Sequence, residues 1–528
     1  MIRSYSAFSA SAVICALLIG AAEAKTLRYA SQDDPQTLDP HSSNLLATNR
    51  VVAQVYEGLV ARDKNFKLTP ALALSWTQPD AKTWRFKLRA NVKFHGGEAF
   101  TADDVVFSVT RALSAHSQLK SSLQGVASAK KIDALTIDLL MKEPNPVLPN
   151  HLVNFRIMSQ EWAVKNKSET PQNYNDREDT FASRTTNGTG PFMVTLRQPD
   201  IKTVLVANAN WWNKNSPEKG NLTQVDLLPV KSNATRAAAL LSGEVDFVID
   251  PPPQDIARLK ENTNVKVIEG LDARVQYVAF DLSRNELLYS DVKGKNPLKD
   301  LRVRQAIAHG IDINAIREKV MRKLSVPIGT IVTAEVRGYS KDADKRLAFD
   351  RDKAKKLLTE AGYPNGFSIT FDCGNIQPAA DICQAIPPML AQIGIRVTPN
   401  IVPQATYFPK IGKFDTSMYL LSWGTPTYDS LYSLQALLHT NAGESSGKGD
   451  SNWGRYSNPK MDQLISQISV EGDLKKRDGF IRDALLLVSA DLPVLALHQP
   501  LIPWAMRKNV DAVFAPNNVA YFFRFKVN

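Results

Sequence analysis

The tightest constraint on this chain lies in residues 68–111, where a strand pattern passes through a glycine turn into a fully signalled helix start. Trp84, Phe86 and Leu88 alternate with Arg85, Lys87 and Arg89, the period of a half-buried strand. Gly96 and Gly97 then permit a tight turn. Beyond it Thr101 is placed to cap a helix, Asp104 follows three residues on as in a capping box, and Phe100 can staple against Val105. Val105, Val106, Val109, Ala112 and Leu113 recur on one helical face. The segment predicts a β-turn-α unit, and by itself no function.

The first residues predict export. Arg3 supplies a positive start, residues 10–22 form a short apolar run, and Ala22-Glu23-Ala24 is a small-residue cleavage site. The run is poorly suited to spanning a bilayer, and nothing later reaches the ~18 apolar residues a span needs. Residues 1–24 are therefore expected to leave as a signal peptide, with a mature chain from Lys25 in the periplasm. Of the 3 cysteines, Cys15 departs with the signal; Cys373 and Cys383 remain as an even count in an oxidising compartment, which predicts a disulfide. Two cysteines without a nearby histidine make a poor metal site.

A length of 528 residues is far beyond one small core and suggests about three domains. The net charge of +11 raises the question of nucleic acid, but the basic runs are interleaved with acids. Asp342 and Asp344 lie within residues 341–346, and Asp352 and Glu360 flank the lysines at 353, 355 and 356. Such runs read as solvated helix faces. No nucleic-acid partner is expected; the surplus charge suits solubility, or attraction of anionic solutes or of the envelope surface.

Strand and helix patterns alternate throughout, without repeats or a Gly/Ser linker, and predict α/β layers. Strands are expected at 136–140, 203–206, 275–280, 367–371 and 395–397, and helices at 234–241, 300–308 and 352–361. Gly243 closes the first of these helices, and Gly362 with Pro364 ends the last.

The wording of residues 68–111 closely resembles the family 5 extracellular solute-binding proteins. Further blocks extend the resemblance in order over nearly the whole mature chain: Thr37-Leu38-Asp39-Pro40, Tyr56-Glu57-Gly58-Leu59, Thr189-Gly190-Pro191-Phe192, Asn210-Trp211-Trp212 and Gly243-Glu244-Val245-Asp246. The series continues through residues 300–307, Glu360-Ala361-Gly362-Tyr363-Pro364 and Tyr456-Ser457-Asn458-Pro459. Most of these residues serve turns, core or local amides, so the blocks speak for the fold. The resemblance implies a two-lobed periplasmic-binding-protein type II fold, in the large cluster C form with an extra subdomain in the first lobe. Residues 25–56, 188–270 and 491–528 would build the base of lobe I, residues 57–187 its inserted subdomain, and residues 271–490 lobe II. It further implies a monomer that captures a peptide or peptide-like solute and delivers it to an inner-membrane ABC permease. The alternative is a non-peptide solute such as an opine, a sugar or amino-acid conjugate, or a metal chelate.

No catalytic constellation stands out, and neither an enzyme nor a cofactor is expected. Gly443-Glu444-Ser445-Ser446-Gly447 matches the G-x-S-x-G elbow formally, but a helical pattern precedes it where the elbow needs a strand. The 7 histidines are scattered without paired ligand spacing, so no metal site is expected.

In the resembled family, the strand ending in Trp423 and the polar loop after it lie in the cleft between lobes. Trp423 and Tyr428 would then offer flat amphipathic walls, and Asp429 a charge for a cationic group. Trp453 is a second cleft candidate, and Ser31 and Gln32, with Tyr29, end the first strand on the opposite lip. One departure matters. Peptide-binding members carry an aspartate three residues after this tryptophan to pair with the peptide's ammonium; here that position is Pro426, which has neither charge nor N–H. Asp429 is the candidate replacement.

Overall fold

In the computed structural model, which describes residues 25–174, 176, 178–443 and 448–528, the capping-box segment folds as its pattern predicts. The signal-peptide residues 1–24 and the serine of the G-x-S-x-G match, Ser445, lie outside the described residues. Strand Thr83–Leu88 buries Trp84, Phe86 and Leu88. It sits inside a four-stranded antiparallel sheet ordered Ala73–Asp80, Thr83–Leu88, Thr136–Met141, Val126–Asp133. Helix Ala102–Leu113 begins where the box places it: Thr101 Oγ1 accepts the Asp103 N–H at 3.3 Å, and the Asp104 carboxylate accepts the Thr101 N–H at 2.8 Å. Phe100 and Val105 are buried in the same core.

The rest of the molecule is organised by a twelve-stranded mixed sheet. At one end lie Thr26–Ser31, Gln224–Pro229, Lys202–Ala207, Phe192–Gln198 and Phe247–Ile249; at the other lie Arg274–Phe280, Met418–Gly424, Phe367–Gly374 and Ile395–Val402. Strand Val494–Arg507 belongs to both ends. Its first residues pair with Arg274–Phe280, and its last with Phe247–Ile249 and Val265–Leu271. The two ends form two lobes with separate cores. One is packed around Tyr29, Phe247, Trp504, Phe522 and Phe525.

Strand alternation builds the second lobe. Val278 and Phe280 face a core shared with helices Leu301–Gly310, Arg351–Glu360 and Ala379–Ala391. Tyr277 and Ala279 face the opposite core, under Ser430–Leu438, Pro459–Val470 and Leu474–Asp491. Cys373 and Cys383 are disulfide-bonded and tie the end of strand Phe367–Gly374 to helix Ala379–Ala391.

Helix ends follow their local chemistry. Gly243 ends Asn233–Ser242 in the left-handed region at φ 84°, where a side chain would be strained. Asp300 caps Leu301–Gly310 and Asp350 caps Arg351–Glu360. Strand Phe367–Gly374 runs three residues past its expected end, and Ile395–Val402 runs further, continuing through Pro399 because it is an edge strand and the missing N–H is not needed. Among the described residues, no helix is long and apolar enough to cross a membrane.

Thr101→Ala removes the cap from a buried helix start and is expected to destabilise the protein by about 1 kcal/mol. Urea denaturation followed by circular dichroism measures this, and Thr101→Ser should retain most of the stability.

Candidate solute-binding cleft

A cavity of about 580 Å³ opens where the lobes face one another, within the size range of small-molecule sites. Asn44, Leu46 and Asn49 border it at the start of helix Leu46–Val55, and Arg62 follows from strand Val60–Arg62. Phe66, Val153, Asn154 and Arg156 line that side as well. The other side is the end of strand Met418–Gly424 with Thr425, Pro426, Tyr428 and Tyr432. Asp272, Arg274, Asn517 and Asn518 close the cavity beside the strands that join the lobes.

Trp423 lines this cavity, and the reason is local. It shares the strand face of Tyr419 and Leu421, but stands beyond them at the end of the core, with its ring stacked on Tyr432 at 5.5 Å. Its Nε1–H is buried without an acceptor among the described residues. Tyr428 also lines the cavity, with a backbone φ of 54°. Its ring packs at 4.6 Å from Phe66, and the Arg62 guanidinium lies 4.6 Å above it. The Arg62 guanidinium donates to the Thr427 carbonyl at 3.2 Å, a direct hydrogen bond from one lobe to the other. Burial raises the Tyr428 phenol.

Other expected site residues are placed elsewhere. Asp429 is fully buried and does not line the cavity. Both of its carboxylate oxygens accept from Arg477, at 2.7 Å each, and Oδ1 also accepts the Leu431 N–H at 3.0 Å. A carboxylate buried outside the cavity and committed to a bidentate arginine and a helix cap is not accessible to a ligand ammonium. Trp453 packs on Phe408 and Tyr419 in the core behind the strand. Ser31 is buried and donates to the Asp33 carbonyl at 2.6 Å, while Gln32 is exposed; neither lines the cavity. Tyr29 is core, its ring tilted against Phe247 and edge-on to Phe522, with its phenol raised by burial to about 12.

Several cleft residues were not singled out by sequence. Asp272 and Arg274 pair at 3.3 Å, and burial lifts the Asp272 carboxyl to about 6. Arg156 emerges from an apolar run, Phe155 and Ile157 being fully buried on either side. A lone arginine in such a run was the one available signal. Behind the wall, Glu57 accepts from Trp212 Nε1 at 2.7 Å, Trp211 Nε1 at 3.1 Å and the Thr189 hydroxyl at 2.8 Å. Burial nevertheless lifts its carboxyl to about 7. Among the described residues, no group of three or more His, Cys, Asp or Glu is placed to hold a metal ion.

Two lobes joined by a shared strand, with an aromatic and amide-rich cavity between them, define a receptor that encloses a solute. The chain belongs to the bacterial extracellular solute-binding proteins, family 5, whose Middle model matches residues 67–445. It is 28% identical to the heme-binding protein A of Haemophilus influenzae, over 83% of this chain and 80% of that one. It is 27% identical to the glutathione-binding protein GsiB of Shigella flexneri serotype 5b, over 90% and 88%. The fold is also that of the ABC transporter-associated periplasmic binding protein DppA from Helicobacter pylori, solved in complex with the peptide STSA. That match has a TM-score of 0.74 at 23% identity and covers 95% of this chain and 98% of that one.

Two outcomes follow for stability. Arg477→Ala leaves the Asp429 charge buried and unpaired, and should destabilise by about 3–5 kcal/mol in urea denaturation. Glu57 has a folded pKa raised from 4.5 to about 7, so its contribution to stability is fully present below pH 4.5 and is lost as pH rises through 7. Glu57→Gln should flatten the fall in stability between those limits, measured by denaturation across a buffer series.

Proposed function

We propose that this chain is the periplasmic substrate-binding component of an ABC importer, capturing a peptide or peptide-like solute between its lobes and handing it to an inner-membrane permease. The observation that carries the reading is the cavity itself: both lobes line it, with Trp423 and Tyr432 as a flat wall and Asn44, Asn49 and Asn154 offering amide donors and acceptors. Such a lining suits a solute rich in amide groups. The DppA complex with STSA and the glutathione-binding relatives bind solutes of that kind. In this reading residues 1–24 are removed on export, and the mature protein acts as a monomer. Lobe I comprises residues 25–56, 188–270 and 491–528 with the insert 57–187; lobe II comprises 271–490. The lobes close about the shared strand as a hinge, the solute shifting the balance through contacts made better in the closed form. The protein releases its solute chemically unchanged.

A second reading, a non-peptide solute, is favoured by one observation. Pro426 stands where an amine-pairing aspartate is expected, and Asp429 is spent on Arg477. A free-amine peptide therefore lacks that anchor here.

Trp423→Ala is expected to weaken solute binding by about tenfold or more while leaving the fold intact, since a stacking wall is lost. Native mass spectrometry of protein taken from its own periplasm identifies the solute. Calorimetry with that solute then compares wild type and variant, and equal affinities would remove Trp423 from the site.

A further inference from the structure

We infer that the solute held by this cleft is an anion, carrying at least one more carboxylate than ammonium, with its carboxylates received by Arg62 and Arg156. The inference rests on the binding role proposed above and names the charge class of the solute.

The argument begins with charge. Three arginines line the cavity, Arg62, Arg156 and Arg274, against a single carboxylate, Asp272. Arg274 and Asp272 pair with one another, leaving two cations in excess. Among the described residues no acid is hydrogen-bonded to Arg62; its guanidinium donates to the backbone carbonyls of Phe66 and Thr427 and to the Asn150 side-chain oxygen. Arg156 has Tyr521 beside it, and its Nε is buried with no hydrogen-bond partner among the described residues. The acid that Arg156 does feel is Glu57, but that carboxyl is claimed by two indoles and a hydroxyl and does not line the cavity.

Buried guanidinium groups are ordinarily paired, because removing a charge from water without a partner is strongly unfavourable. Two arginines of this chain show the rule. Arg477 meets Asp429, and Arg111 meets Asp39, each pair fully buried and bidentate. Arg236 and Arg304 are buried without an acid, but their guanidinium groups are turned to backbone carbonyls away from the cavity; Arg62 and Arg156 also lack an acid partner, and they line the cavity between the lobes. Their natural partner is a group absent from the chain: a carboxylate, whose two oxygens match the planar fork of an arginine.

Two neighbours sharpen the assignment. The Tyr428 ring fixes the plane of the Arg62 guanidinium from 4.6 Å, so the cation is presented in one orientation. Trp423 adds an unsatisfied buried N–H to the same wall, a further donor for an acceptor oxygen. A cationic solute finds no matching carboxylate, since Asp272 is already paired. The net charge of +11 also favours encounter with anions over long range.

The test has two arms. In the first, the solute released from protein purified out of its own periplasm is identified by native and then denaturing mass spectrometry, and its charge at neutral pH is read from its formula. A net negative solute supports the inference; a neutral or cationic one overturns it while leaving solute capture intact. In the second arm, calorimetry compares three probes: tri-alanine, a zwitterion of no net charge; Glu-Ala-Glu, a dianion; and Lys-Ala-Lys, a dication. The dianion should bind about tenfold or more tightly than tri-alanine, as expected for a charge-assisted contact. Arg62→Gln and Arg156→Gln should each abolish most of that preference, and Arg156→Lys, which keeps the charge, should retain part of it. Melting curves establish that each variant is folded. Equal affinity for all three probes, or a preference that survives both glutamine variants, overturns the inference. If no solute is released and no probe binds, the capture reading itself fails, and the charge assignment falls with it.

Discussion

One strand holds the two lobes in a single molecule. Val494–Arg507 runs 14 residues through the middle of the large sheet and changes partners on the way. Its first residues hydrogen-bond within the second lobe, with Leu495 and Leu497 in that core; its last residues carry Trp504 and Met506 into the first. Pro500 and Pro503 lie at the change, where the strand passes from one set of neighbours to the other. A proline cannot donate to a ladder, so the pairing is thinned at the place where the lobes meet. His498 stands at the same place, opposite Gln276, with neither ring nitrogen partnered among the described residues and its pKa pushed down by burial to about 3. Secure packing at both ends and reduced hydrogen bonding between them is what a joint requires.

The parts of this architecture legible in the sequence were those fixed by near neighbours. The capping box at Thr101 and Asp104 acts over three residues, and Gly243 acts on its own φ angle. Alternation along residues 275–280 sorts side chains between two cores without knowledge of what those cores contain. The misjudged length of Ile395–Val402 has the opposite cause. Pro399 breaks a strand unless the strand is an edge, and edge position is a property of the whole sheet.

The cleft was legible only in part, for the same reason. Trp423 was reachable because its place at a strand end follows from local pattern and resemblance, and the structure sets it in the cavity wall. Asp429 looked equally available from sequence. Its partner Arg477 lies 48 residues away on another helix, so no local signal could show that the carboxylate was occupied. Arg62 and Arg156 carry no motif; what distinguishes them is that they line the cavity without an acid hydrogen-bonded to them, a property of three dimensions. Linear sequence records which charges exist but not which ones have met.

That distinction bears on how the cleft works. Arg62 sits on the first lobe, yet its guanidinium reaches the Thr427 carbonyl and the Tyr428 ring on the second. A neutral carbonyl and an aromatic face hold a cation weakly compared with a carboxylate. The contact therefore brings the lobes together without neutralising the charge that joins them. In the reading proposed above, an anion beside Arg62 gains most when the second lobe is also in place, because closure removes water and strengthens every charge interaction inside. Differential contact of this kind is the only means by which a solute can shift an open-closed balance. In the proposed reading the two arginines and closure form one device: cations that the fold leaves without a carboxylate make closing over an anion favourable.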